Sequence, residues 1–175
     1  MECQMIFDYL DQLYQKTQDP RLSDDKVRSE IKEQVKKSCD ITSMTEDDLL
    51  KRLDFKPNDL TIEALESFLA ELRSVIWLHI FGFSEIEPLQ AKKTLQPDFI
   101  AKFNGKKCVI EVFCLTETYG QKKDPKLGCY INFDPQYDGS KFGRDFLSKA
   151  QIKKNQLDAI ESDIKILLCC DILSC

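Results

Sequence analysis

The chain has 175 residues, of which 42% are hydrophobic and 31% are charged, with only 6 Gly and 6 Pro. This composition is that of a globular domain, and it excludes a collagen, a linker protein or a disordered tail. The formal net charge of −5 argues against a protein that binds nucleic acid through bulk positive charge, although it is compatible with a local basic groove.

The eight cysteines show no C-x-x-C spacing, and the chain has one histidine to complete a metal-thiolate site. Zinc-site signatures are therefore absent from the sequence. The apolar stretch at the N-terminus is too short for a signal peptide or a membrane span. We expect reduced thiols, a cytoplasmic location and no membrane partner.

The N-terminal part, residues 1–58, is expected to be a helical region. Residues 1–60 carry 10 basic and 14 acidic side chains, so −4 of the net charge belongs here. Apolar spacing and capping residues predict three helices: one over 4–16 that ends at Asp19-Pro20, a polar one over 24–38, and a short one after Thr45.

The remainder of the chain alternates between helical and strand-like patterns. A strong apolar stripe predicts a helix that begins at Asp59-Leu60-Thr61 and runs to about Phe81, where Gly82 ends it. The later elements are expected in this order: strands over 83–88, 97–103 and 107–115, a short strand over 129–133, a helix over 141–161 and a strand over 164–170. This order indicates an α/β domain built on one mixed sheet.

Asn104-Gly105 lies between two strand-like runs and predicts a two-residue hairpin, because a type I′ turn needs positive φ at both central residues. If Phe103 and Lys106 flank the loop, Asp98 stands opposite Glu111. Their Cβ atoms would then lie about 5 Å apart, which is unfavourable unless a cation or a proton lies between the two carboxylates. Two separately solvated edge charges are the alternative. The apolar neighbours favour a hard divalent cation, Mg²⁺ or Mn²⁺.

Pro97-Asp98, followed after twelve residues by Glu111-Val112-Phe113, resembles the motif of the PD-(D/E)xK nuclease superfamily. In that family Pro-Asp lies on the second strand and (Asp/Glu)-x-Lys on the third. The resemblance implies a restriction endonuclease-like α-β-β-β-α-β core with a central mixed sheet over residues 59–175, preceded by the N-terminal helical region.

The resemblance further implies a metal-dependent endonuclease, which hydrolyses phosphodiester bonds of DNA or RNA. Asp98 and Glu111 would hold Mg²⁺ or Mn²⁺, with the carbonyl of Val112 and the side chain of Glu71 as further ligands. Glu71 precedes Gly82-Phe83 by eleven residues, as the family's helix glutamate does. A solvated glutamate on the helix surface is the alternative for Glu71.

The chain departs from the motif at its third position, where Phe113 replaces the lysine that orients the attacking water. The catalytic lysine has either moved elsewhere or been lost together with cleavage. Lys153 and then Lys149 are the first candidates for a moved lysine, because both fall on the apolar stripe of the 141–161 helix. Lys122 or Lys123 in the preceding loop is a further candidate. A lysine that merely covers the sheet edge is the alternative. Gln156, one turn on, is expected to orient the water or a phosphate oxygen.

Five basic residues against one acid make 141–154 the basic patch nearest to this site. We expect it to bind nucleic acid, DNA in preference to RNA, through Lys141, Arg144, Lys149, Lys153 and Lys154. A solvated helix face is the alternative. The resemblance also admits a homodimer.

Three other functions stay open from the sequence. The first is an RNA-cutting endonuclease of the viral cap-snatching branch, which also lacks the motif lysine. The second is a nuclease-fold module that binds nucleic acid or a protein without cleavage. The third is a structural domain whose acidic N-terminal helices form the working surface.

Overall fold

The computed structural model describes residues 4–53, 55–90, 96–115, 121–123, 130–133 and 139–171. These residues contain five α-helices: α1 (Gln4–Thr17), α2 (Asp25–Thr42), α3 (Glu46–Arg52), α4 (Ile62–Ile80) and α5 (Gly139–Leu157). A short 3-10 helix, Pro20–Ser23, connects α1 to α2. The same residues contain six strands: β1 (Ser84–Pro88), β2 (Phe99–Phe103), β3 (Lys106–Leu115), β4 (Gln121–Lys123), β5 (Tyr130–Phe133) and β6 (Ile164–Asp171).

Helices α2, α3 and α4 begin at caps that the sequence indicates. The Asp24 side chain accepts hydrogen bonds from the first turn of α2, and the Thr45 and Thr61 hydroxyls do so for α3 and α4. Helix α2 runs a turn beyond the predicted end at residue 38, to Thr42. Cys39 and Ile41 in that turn pack against the core, so tertiary burial extends a segment whose local sequence is weakly helical.

The central sheet has four strands in the order β1-β2-β3-β6. β1, β2 and β3 pair antiparallel, whereas β3 and β6 pair parallel and are joined by a connection that contains α5. β4 and β5 form a separate antiparallel pair, of which the sequence indicated only β5. The predicted α/β class with a mixed sheet is confirmed.

Helix α5 ends at Leu157, four residues before the predicted end. The Ala159 N–H donates to the Gln156 carbonyl, and this bond between residues three apart forms a tight turn that ends the helix.

The β2–β3 hairpin has the predicted turn and register. Asn104 and Gly105 have φ angles of 50° and 76°, as a type I′ turn requires. Phe103 faces Lys106, and the ladder continues to the pair of Phe99 and Ile110.

The two faces of the sheet are covered by different helices. Side chains of Phe99, Ala101, Cys108, Ile110 and Val112 share a core with α4 and with α1, α2 and α3. The alternate residues Val109, Glu111 and Phe113 are also buried, but they project to the opposite face, where α5 contacts β3 and β6. The helical region over 1–58 therefore completes the core of the sheet on the α4 side.

A transmembrane helix would need a long, uncharged apolar run, and none of the helices in the described residues has one.

Candidate active site

Asp98 and Glu111 meet at the open end of the β2–β3 hairpin. Asp98 directly precedes β2, so the hairpin register carries it to Glu111 of β3. The Asp98 Oδ2 atom accepts a hydrogen bond of 2.7 Å from the backbone N–H of Val112. This bond fixes the Asp98 carboxylate against β3. The predicted juxtaposition of the two carboxylates is thus present.

Glu111 is fully buried, with an exposed fraction of 0%. Desolvation, reinforced by the negative charge of Asp98, raises the pKa of the Glu111 carboxyl to about 8. Burial also raises the pKa of Asp98, although the Val112 N–H and the Lys153 ammonium oppose that shift. The pair therefore holds a proton or a cation at neutral pH, because two bare carboxylates here would be both desolvated and mutually repelled.

Lys153 supplies a positive charge to the carboxylate pair. Its ammonium forms an ion pair with Glu111 Oε1, and its side chain is 28% exposed. Glu111 Oε2 is also buried, yet no N–H group among the described residues donates to it. Lys153 thus neutralises one oxygen of Glu111, and the other oxygen is available to a proton or a metal ion.

Phe113, at the third motif position, is 5% exposed and lies on the same face of β3 as Glu111. An ammonium reaches Glu111 from α5 instead of from β3. The sequence indicated Lys153 through its position on the apolar stripe of α5, and the structure places it in contact with the predicted carboxylate.

Gln156 does not point a free amide into the site. Its Nε2 donates a hydrogen bond of 3.1 Å to the backbone carbonyl of Gln96, two residues before Asp98. The sequence predicted that Gln156 orients the attacking water or a phosphate oxygen. Its observed partner is instead the backbone leading into β2, and no sequence signal marks a backbone carbonyl as a partner.

Glu71 is not part of the carboxylate pair. It lines a cavity of about 270 Å³ together with Phe55, Lys56 and Asp59. The reason is geometric, since α4 packs on the sheet face that carries Ile110 and Val112, whereas Glu111 projects to the α5 face. The expected Glu71 ligand is therefore not brought to Asp98 and Glu111.

Nowhere in the described residues do three or more Asp, Glu, His or Cys side chains form a group that could hold a metal ion. The two carboxylates, including the Glu111 Oε2 atom to which no described N–H donates, nevertheless match the oxygen ligands that Mg²⁺ and Mn²⁺ prefer. Val112 contributes its N–H to Asp98, and the metal role of its carbonyl stays a prediction. The sequence motif did not predict the Val112 N–H as a hydrogen-bond donor to Asp98. The hairpin register could have indicated it, because it places residue 112 diagonally across from residue 98.

The predicted nucleic-acid-binding residues are described only in part. Lys154 is exposed and forms an ion pair of 3.1 Å with Asp158, one turn along the helix. Asp158 also pairs with Lys165, and these two lysines hold the pKa of its carboxyl below the usual range. The side chains of Lys141, Arg144 and Lys149 lie outside the part of the chain that the structure describes.

Comparison of the chain with protein-family models, with curated proteins and with solved structures finds no match in any of the three. The functional interpretation therefore rests on the residues of this chain.

Proposed function

We propose that the chain is a metal-dependent nuclease, with Asp98 and Glu111 as the metal-holding carboxylates. The observation that carries the proposal is the meeting of three predicted site residues: Asp98 and Glu111 adjoin on the hairpin, and Lys153 reaches Glu111 from α5. The substrate class is nucleic acid, with DNA before RNA, and the reaction is hydrolysis of a phosphodiester bond. This function rests on the motif resemblance together with that geometry.

Each residue of this constellation has a role of its own. Asp98, held by the Val112 N–H, keeps one carboxylate oriented, and Glu111 presents an oxygen to which no N–H in the described part of the chain donates. A bound Mg²⁺ or Mn²⁺ would lower the pKa of a coordinated water and offset charge that develops on the phosphate. The Lys153 ammonium is the local positive charge that can orient a water or a phosphate oxygen, the role left vacant by Phe113.

The testing experiment measures cleavage of single-stranded and duplex DNA and RNA in the presence of Mn²⁺. Asp98→Ala and Lys153→Ala are expected to abolish cleavage. Lys37→Ala is the matched control, because Lys37 pairs with Glu33 on α2 and lies outside the predicted binding patch. Circular dichroism establishes that each variant is folded. Cleavage retained in Asp98→Ala would refute the proposal, and cleavage of RNA alone would favour the RNA-cutting branch.

A second candidate is a nuclease-fold module that binds nucleic acid without cleaving it. The Glu111–Lys153 ion pair favours this candidate, because it already neutralises one carboxylate, and the described residues offer no group of three metal-ligating side chains. Binding in a fluorescence-anisotropy titration, with no cleavage and no effect of Mn²⁺ on the melting temperature, would support it. The homodimer expected from the resemblance is tested by sedimentation of the same protein.

A further inference from the structure

Among its described side chains, helix α5 makes two polar contacts with the carboxylate-bearing hairpin and the segment that leads into it. Lys153 pairs with Glu111, and Gln156 donates to the Gln96 carbonyl at 3.1 Å. Residues three apart lie on the same side of a helix, so one turn of α5 faces both segments. One contact is made to a carboxylate, whereas the other is made to the backbone that leads to the second carboxylate.

Asp98 lies just outside the β2 ladder, so the strand pairing does not itself fix its backbone. Its carbonyl accepts a 2.8 Å hydrogen bond from the Leu89 N–H, and its carboxylate accepts one from Val112 and also interacts with Glu111 and Lys153. Pro97, which precedes it, has no N–H with which to anchor the chain. The hydrogen bond from the Gln156 amide to the Gln96 carbonyl therefore anchors the backbone two residues before Asp98.

We propose that Gln156 is a positioning residue that holds Asp98 in register with Glu111. It acts through the Gln96 backbone and touches neither carboxylate. The consequence for metal binding rests on the proposed function, whereas the consequence for the Asp98 backbone does not. Outer contacts that orient metal-binding side chains typically affect metal affinity or activity by about 10- to 100-fold.

The first test uses the metal-free protein and the variant Gln156→Met, which keeps the side-chain length but removes the amide donor. Hydrogen exchange measured by NMR follows the amides of Leu89 and Val112, the two that donate to Asp98. We expect both to exchange roughly fivefold faster in the variant, the factor for loss of one neutral hydrogen bond. Unchanged rates at both amides would overturn the proposal.

Two controls separate positioning from general loosening. Gln151→Met alters an exposed glutamine of the same helix and should leave both amides unchanged. Val35→Ala removes buried volume from α2, far along the chain from the site, and should accelerate the most protected amides of the whole protein together. Faster exchange confined to the Leu89 and Val112 amides of Gln156→Met supports the positioning role of Gln156. Uniformly faster exchange across this variant contradicts it.

The second test is calorimetric titration with Mn²⁺. Gln156→Met is expected to weaken the Mn²⁺ affinity by about tenfold, and Val35→Ala is expected to leave the affinity of the folded protein unchanged. Faster amides with unchanged Mn²⁺ affinity would overturn the positioning role and leave a merely structural contact. Failure of the unaltered protein to bind Mn²⁺ would instead refute the proposed metal site, while the amide measurement would still decide whether Gln156 holds Asp98.

Discussion

The buried Glu111 carboxyl predicts that the metal-free protein loses stability as the pH rises toward 8. The pKa of Glu111 is about 8 in the folded protein, against 4.5 for an unperturbed glutamate. Between these values the folded state holds a proton that the unfolded state has released. Stability from this proton is therefore fully present below pH 4.5 and is lost as the pH rises through 8.

The size of this effect follows from the pKa difference. A shift of one pKa unit corresponds to about 1.4 kcal/mol, so the change between pH 5 and pH 8 is on the order of 3 kcal/mol. Asp98 adds a contribution of the same sign, because its pKa is raised by burial. Glu33 and Asp158, whose pKa values are lowered by lysine partners, lose their stabilising contribution at lower pH and do not oppose the change in this window.

The variant Glu111→Gln tests this reasoning, because glutamine resembles the protonated glutamate in shape and hydrogen-bonding groups. At pH 5 the variant should match the unaltered protein, and at pH 8 it should be more stable by on the order of 3 kcal/mol. Urea unfolding followed by circular dichroism, with a chelator present and at several pH values, measures both profiles.

Glu161→Gln, at an exposed glutamate, is the matched control and should leave the pH profile unchanged. Parallel profiles for the unaltered protein and Glu111→Gln would refute the raised pKa of Glu111. If the proposed metal site is correct, an excess of Mn²⁺ should flatten the profile of the unaltered protein, since a bound cation would replace the proton between the two carboxylates.

Three further predictions concern the same hairpin. Mn²⁺ should raise the melting temperature of the unaltered protein but not that of Asp98→Asn, and no Mn²⁺-dependent rise in either protein would contradict the metal site. Gly105→Ala should cost about 1 kcal/mol or more in urea unfolding, because Gly105 has a φ of 76°, although a Cβ there would meet no atom within 4 Å. Phe113→Lys, which restores the motif lysine, should lower the unfolding free energy by about 3 kcal/mol and leave cleavage unimproved, because Phe113 is buried; a gain in cleavage rate would refute this.

The parts of the site that follow local rules could be read from the sequence. Asn104-Gly105 specifies the turn, the turn specifies the register, and the register places Asp98 by Glu111. The position of Lys153 on the apolar stripe of α5 carried similar information, since a helix that packs on a sheet turns that stripe toward it.

The contacts that depend on packing between distant elements could not be read in this way. Glu71 has the spacing of the family's helix glutamate, but the rotation of α4 about its axis is set by the shared core of α1, α2 and the sheet. The bond from Gln156 to Gln96 involves a backbone carbonyl, which every residue has. The extension of α2 to Thr42 likewise reflects the burial of Cys39 and Ile41 and not their helix propensity.

The parallel pairing of β3 with β6 has a consequence for the order in which the protein folds. The β2–β3 hairpin closes through a two-residue loop, whereas Glu111 pairs with Leu167, far along the chain. Local contacts form faster than distant ones, because long loops lose more entropy on closure. We therefore expect Asp98 and Glu111 to meet while Glu111 is still open to water, with its pKa near that of an ordinary glutamate. Docking of α5 and β6 would then be the step that dehydrates Glu111 and delivers Lys153, so the last folding step should take up a proton near neutral pH.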